Sequence, residues 1–72
     1  MTTIEIFKTN ITQAAIANKV IESLLQVLPH CRINFDLHDC DNILRIESIE
    51  AFNPQDVKSH LHKIGFSAEL LL

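Results

Sequence analysis

Cys31-Arg32-Ile33-Asn34-Phe35-Asp36-Leu37-His38, then Asp39-Cys40-Asp41-Asn42, then Ile43-Leu44-Arg45-Ile46-Glu47-Ser48-Ile49 is the stretch whose reading decides the fold. In the first run Cys31, Ile33, Phe35 and Leu37 alternate with Arg32, Asn34, Asp36 and His38, the period-two pattern of a strand buried on one face. Ile43 to Ile49 reads as the next strand, and Asp39 to Asn42 make the turn between them. The register follows from requiring core residues to face each other. Phe35 then pairs with Ile46 and Leu37 with Leu44, the hairpin closes over residues 39–42, and Asp36 stands opposite Arg45 on the other face as an opposite-charge pair.

Working outward, Pro29 stops whatever precedes the hairpin. From Gln13 to Leu28, the residues Ile16, Val20, Leu24, Val27 and Leu28, with Ala17 and Ile21 beside them, follow helical spacing and form one broad stripe, which predicts a first helix capped by Thr12. Ahead of it, Thr3 to Thr9 is short and rich in β-branched and aromatic residues, favouring a strand. Its faces conflict, because Ile4 and Ile6 share one side while Phe7 falls on the other. Either apolar surface is left on the opposite face or the strand carries a bulge. Beyond the hairpin, Asn53 as cap, Pro54 at the first helical position and Asp56 in the first turn announce a second helix, with Val57, Leu61 and Ile64 as its buried stripe and Gly65 as its stop. Phe66 to Leu71 reads as a last strand. The order βαββαβ, without repeats, linkers or low-complexity tracts, makes residues 1–72 a single α+β domain: two helices on one face of a four-stranded antiparallel sheet, the ferredoxin-like arrangement.

Composition removes several functional classes. The 72 residues are 47% apolar, enough for a core but with a surface-to-volume ratio that makes stability marginal and excludes a large enzyme. Six Lys plus Arg against nine Asp plus Glu give a formal charge of −3, with no basic run or stacking aromatic cluster, so nucleic acid is not an expected partner. No apolar stretch approaches the roughly 18 residues that span a bilayer, so no membrane insertion is expected. Met1-Thr2-Thr3 lacks the basic start and apolar core of a signal peptide, and neither a glycine after Met1 nor a C-terminal cysteine motif supports lipidation; the expected location is cytoplasmic.

Four pieces in order carry a family likeness: Phe7-Lys8-Thr9-Asn10-Ile11, the following helix with Val20 and Leu24, Asp41-Asn42-Ile43-Leu44-Arg45-Ile46-Glu47-Ser48, and Lys63-Ile64-Gly65-Phe66-Ser67-Ala68-Glu69-Leu70. Together they resemble the heavy-metal-associated domain, the small module of copper chaperones and metal-transporting ATPases. The resemblance covers nearly the whole chain and rests on order and spacing, since each piece alone is common. It implies a metal site built from a Cys-x-x-Cys pair in the loop between the first strand and first helix. Thiolates are soft ligands suited to Cu(I) and zinc, and a helix N-terminus favours their deprotonation. The motif's positions here are Gln13 and Ile16. An amide oxygen is a poor ligand for a soft ion and isoleucine is none, so the family's ligands do not carry over and no metal is expected at Gln13 or Ile16. Ile16 instead extends the helix's apolar stripe into its first turn, closing the loop onto the core. No cofactor is expected.

The remaining Cys and His residues give only partial replacements. Cys31 and Cys40 lie at opposite ends of the second strand, roughly 25 to 30 Å apart at about 3.3 Å per residue, which excludes an internal disulfide or a shared ion within a monomer. His30 with Cys31, and His38 with Cys40, are two-ligand clusters, short of a structural zinc site. Cys31 reads as a small core residue and His30 as a loop residue. The hairpin exposes Cys40, and chain direction places it at the same end as Thr12 and Gln13. His38, Asp39, Cys40 and Asp41 therefore form a polar cluster near the family's metal end, one edge of the sheet away. His60 and His62, two apart on a helix, point in different directions, and His62 suits the helix C-terminus.

No Ser/His/Asp or Cys/His/Asn arrangement, phosphate-binding glycine loop or carboxylate dyad follows from the spacing, so an enzyme is not expected. Three classes remain. The preferred one is a non-enzymatic interaction or regulatory module in metal homeostasis, whose partner is another protein, such as a metal transporter or related domain, and whose open sheet face carries Ile43 and Ile49. The alternative is a metal-binding or metal-transfer protein with His38, Cys40 and Asp41 as ligands, completed across a homodimer. The third, a small enzyme, needs a titratable cluster in a pocket that so short a domain has little room to form.

Overall fold

Six elements follow one another in the computed structural model, which describes residues 2–38 and 40–71: β1 (Thr3–Thr9), α1 (Ala14–Val27), β2 (Arg32–Asp36), β3 (Ile43–Ser48), α2 (Pro54–Lys63) and β4 (Ala68–Leu71). The strands form one antiparallel sheet in the order β2-β3-β1-β4. This is the ferredoxin-like arrangement predicted from the sequence. Phe7, Leu44 and Ile46 on one sheet face join Ala17, Val20 and Leu24 of α1 and Val57 and Leu61 of α2 in a single core, completed by Ile11 and Ala68.

Strand β1 resolves its conflict by leaving apolar surface outside. Its register with β3 is unbroken from Thr3 opposite Ser48 to Lys8 opposite Ile43, so no bulge intervenes. Phe7 and Thr9 face the helices, while Ile4 and Ile6 lie on the open face opposite Glu47 and Arg45. Ile43 shares that face, half-buried, but Ile49 falls beyond the end of β3 and is 76% exposed.

The hairpin register is two residues away from the expected one. Phe35 pairs with Leu44 and Ile33 with Ile46; Asn34, not Asp36, stands opposite Arg45, and the cross-strand pair of opposite charges is Arg32 with Glu47. A slip of two keeps every side chain on its face, so hydrophobic phase alone does not distinguish the two registers. The loop decides between them. The His38 N–H donates to Asp36 Oδ1 at 3.1 Å, an Asx-type turn that ends β2 at Asp36, and Asn42 enters β3 with φ +50°. Leu37 leaves the ladder yet still packs against the core, and Cys31 does the same just before the strand begins. Asp39 of the expected turn lies outside the described residues.

The helix boundaries carry further corrections. Gln13, not Thr12, is the N-cap of α1, in extended conformation and without a side-chain cap bond; its carbonyl accepts from the Ala17 N–H at 2.9 Å. Val27 is 57% exposed because it sits on the margin of the stripe that faces the groove between the helices, and Leu28, the C-cap, packs on the core in its place. In α2, Asn53 Oδ1 accepts from the Gln55 N–H at 3.0 Å as expected of a cap followed by Pro54. Ile64 is the C-cap and is 40% exposed, so the buried stripe consists of Val57 and Leu61. The Phe66 N–H donates to the Leu61 carbonyl at 2.8 Å and the Gly65 N–H to that of His62 at 3.1 Å, a Schellman ending with Gly65 at φ +96°. This extra turn delays the last strand, which begins at Ala68 instead of Phe66.

Candidate functional site

Three connections meet at one end of the sheet: residues 10–13 after β1, 37–38 and 40–42 between β2 and β3, and 64–67 before β4. Thr9, 6% exposed, ties the first two together. Its hydroxyl donates to the Asn42 carbonyl at 2.7 Å and accepts from the Ile11 N–H at 3.2 Å, while its own N–H donates to the Asp41 carbonyl at 3.1 Å. Asn10 ties in the third, its Oδ1 accepting from the Ser67 N–H at 3.0 Å. Ile11, 1% exposed, follows these two polar residues into the core and anchors the loop from within. The sequence signal was a pair of turn-forming side chains, Thr9 and Asn10, immediately before a lone isoleucine.

At this end Gln13 is exposed and Ile16 is half-buried, packed against the core. The helix N-terminus that would favour thiolates is thus lined by an amide and by a hydrocarbon already committed to packing. These residues do not fit a soft metal ion.

His38 and Cys40 are exposed and Asp41 is half-buried, with its carboxylate Oδ1 3.8 Å from Lys8 Nζ. The expected position of this cluster needs correction. It is not one edge of the sheet away from the β1–α1 loop, because β3 is the immediate neighbour of β1 and the backbone of Asp41 bonds to Thr9 directly. Asp39 lies outside the described residues, and among those described no three His, Cys, Asp or Glu side chains are grouped so that they could hold a metal ion. Cys31 and Cys40 are both free thiols, the first half-buried and the second exposed. His30 is an exposed loop residue.

Packing of the two helices adds a contact that spacing did not reveal. Ser23 Oγ lies 2.7 Å from His60 Nε2, joining α1 to α2. Ser23 follows Val20 by three positions and so interrupts the apolar stripe, the signal that it meets a polar partner. No carboxylate among the described residues hydrogen-bonds the imidazole. The pair acts here as a clamp between helices. His62, by contrast, is exposed on the side of α2 that faces β4. No helix of the described residues is long and apolar enough to cross a membrane.

No protein-family model, no curated protein and no solved structure matches this chain.

Proposed function

We propose that the chain is a non-enzymatic module with a heavy-metal-associated-like scaffold that has lost the soft-metal site, acting in the cytoplasm by binding another protein of metal homeostasis, a transporter or a related domain. The observation that supports this reading is the state of the loop and helix start: Ile16 packed against the core, Gln13 exposed beside it, and the surrounding connections fastened by Thr9 and Asn10. A scaffold held this tightly without ligands points to a surface whose shape is used. The second reading, a metal site made by His38, Cys40 and Asp41 and completed across a homodimer, draws support from the exposure of Cys40 beside that same loop.

Titrating the reduced protein with Cu(I) against a competing chelator, while recording molecular mass, separates the two. The expected result is that copper stays with the chelator for the parent and for Cys40→Ser alike. Stoichiometric retention by the monomer overturns the lost-site reading. Retention by a dimer, abolished in Cys40→Ser, establishes the second reading instead.

A further inference from the structure

Between α2 and the outer edge of β4 runs a groove of about 480 Å³, which Phe66 and Ser67 of the connection before β4 also line. Two features of the fold make it. Among the described residues β4 is an edge strand paired only with β1, so alternate residues of Ala68–Leu71 turn their N–H and C=O groups outward with no described strand to receive them. The Schellman turn at Gly65 then carries the chain away from α2 before β4 begins, leaving Phe66 and Ala68 as an apolar floor.

The walls are cationic in a chain whose formal charge is −3. Lys58 and Lys63 line the groove, and no Asp or Glu of the described residues does. Neither lysine forms an ion pair among the described residues. The nearest acidic residues along these elements lie elsewhere: Asp56 lines the groove on the α1 side of α2, and Glu69 pairs across from Lys8 on the open sheet face.

This charge selects the occupant. A second copy joined through its own β4 edge would bring two sets of Lys58 and Lys63 face to face, a like-charge contact that opposes self-pairing. An extended segment bearing acidic residues meets every feature. Its backbone continues the ladder, its carboxylates on the helix side reach over Phe66 to the lysines, and its alternate apolar side chains lie on the open face beside Leu71, which is opposite Ile6. We propose that the groove binds an extended acidic segment of a partner protein as a fifth strand on β4. The proposal rests on the reading of this chain as an interaction module and names the surface and the chemistry of its partner.

The test uses the whole protein and a short synthetic peptide of alternating valine and glutamate, followed by amide chemical shifts and hydrogen exchange. Three controls accompany it: a valine–lysine peptide, the valine–glutamate peptide N-methylated at alternate amides, and the variant Lys58→Glu with Lys63→Glu. The expected result is saturable shifts and slowed exchange centred on residues 68–71, absent with the lysine peptide and lost on N-methylation. Reversing both lysines should weaken binding about tenfold or more, since two rim charges change sign. Equal binding of the lysine peptide, survival of binding after N-methylation, shifts centred instead on Ile4, Ile6 and Ile43, or no saturable shift at residues 68–71 would each overturn the proposal. The N-methylated peptide keeps the test decisive even if the double variant folds poorly. Failure with copper still left to the chelator removes only this groove; copper retention by the parent monomer removes the module reading whatever the peptide does.

Discussion

Thr9→Val is the substitution that most sharply probes how the end of the sheet is held together. Valine replaces the hydroxyl by a methyl of nearly the same volume, so the change is electrostatic and not steric. Two backbone groups lose their partner: the buried Ile11 N–H and the part-buried Asn42 carbonyl. An orphaned buried group costs about 1–3 kcal/mol, with the carbonyl at the low end because water reaches it, while the extra buried methyl returns about 0.8 kcal/mol. The net loss is about 1–3 kcal/mol, which for a domain of this size lowers Tm by about 5–20 °C. Thr9→Ser removes the methyl and keeps both hydrogen bonds, costing about 1 kcal/mol. Thermal melts give the magnitudes, and native-state hydrogen exchange separates the causes. The Ile11 amide should exchange faster in Thr9→Val than the global change in stability accounts for, and not in Thr9→Ser. A Thr9→Val protein as stable as the parent, with the Ile11 amide still protected, would refute the role assigned to this side chain.

Two further substitutions follow from the same geometry. Gly65→Ala adds a Cβ that meets no atom within 4 Å, so its cost is the backbone conformation at φ +96° alone, about 1–2 kcal/mol by urea unfolding, and Gly65→Asn should cost less. Ser23→Ala and His60→Ala, each removing one end of the 2.7 Å bond between the helices, should show a coupling of about 0.5–1.5 kcal/mol in a double-mutant cycle of thermal unfolding, whereas independent contributions would mean the contact is not made in solution.

Element order, sheet topology and most of the core were legible in the sequence because hydrophobic phase and capping residues speak locally and agree with each other. Asn53, Pro54 and Gly65 each mark a backbone state that few other residues satisfy, so α2 was located almost to the residue. The hairpin register was not legible, since a slip of two preserves the faces and the choice depends on where Asp36 turns back on His38. Val27 and Ile64 were assigned to the core by periodicity, but at a helix end the sheet no longer lies beneath the stripe. Gln13 and Ile16 were read from their chemistry, and their placement, one exposed and one packed, depends only on the start of α1. What lay beyond reach were contacts between elements distant in sequence: Thr9 with Asn42, Ser23 with His60, and the cationic wall that α2 raises beside the edge of β4.

The measurement that bears most directly on the central claim is Cu(I) affinity, by chelator competition, of Gln13→Cys with Ile16→Cys against the parent and each single variant. Positions three apart at the start of α1 place two sulfurs at a helix N-terminus, where the dipole favours thiolates. Trimming the half-buried Ile16 costs about 1–2 kcal/mol of stability, and a bound ion at a hundred times its Kd restores about 2.7 kcal/mol, so metal should raise Tm in the double variant alone. If the scaffold is intact and only the ligands are gone, the double variant takes Cu(I) from the chelator while the parent and both single variants leave it behind. A double variant that folds yet binds no more tightly than the single ones would contradict the account, because the loop would then lack the geometry on which the family resemblance and the lost-site reading both depend.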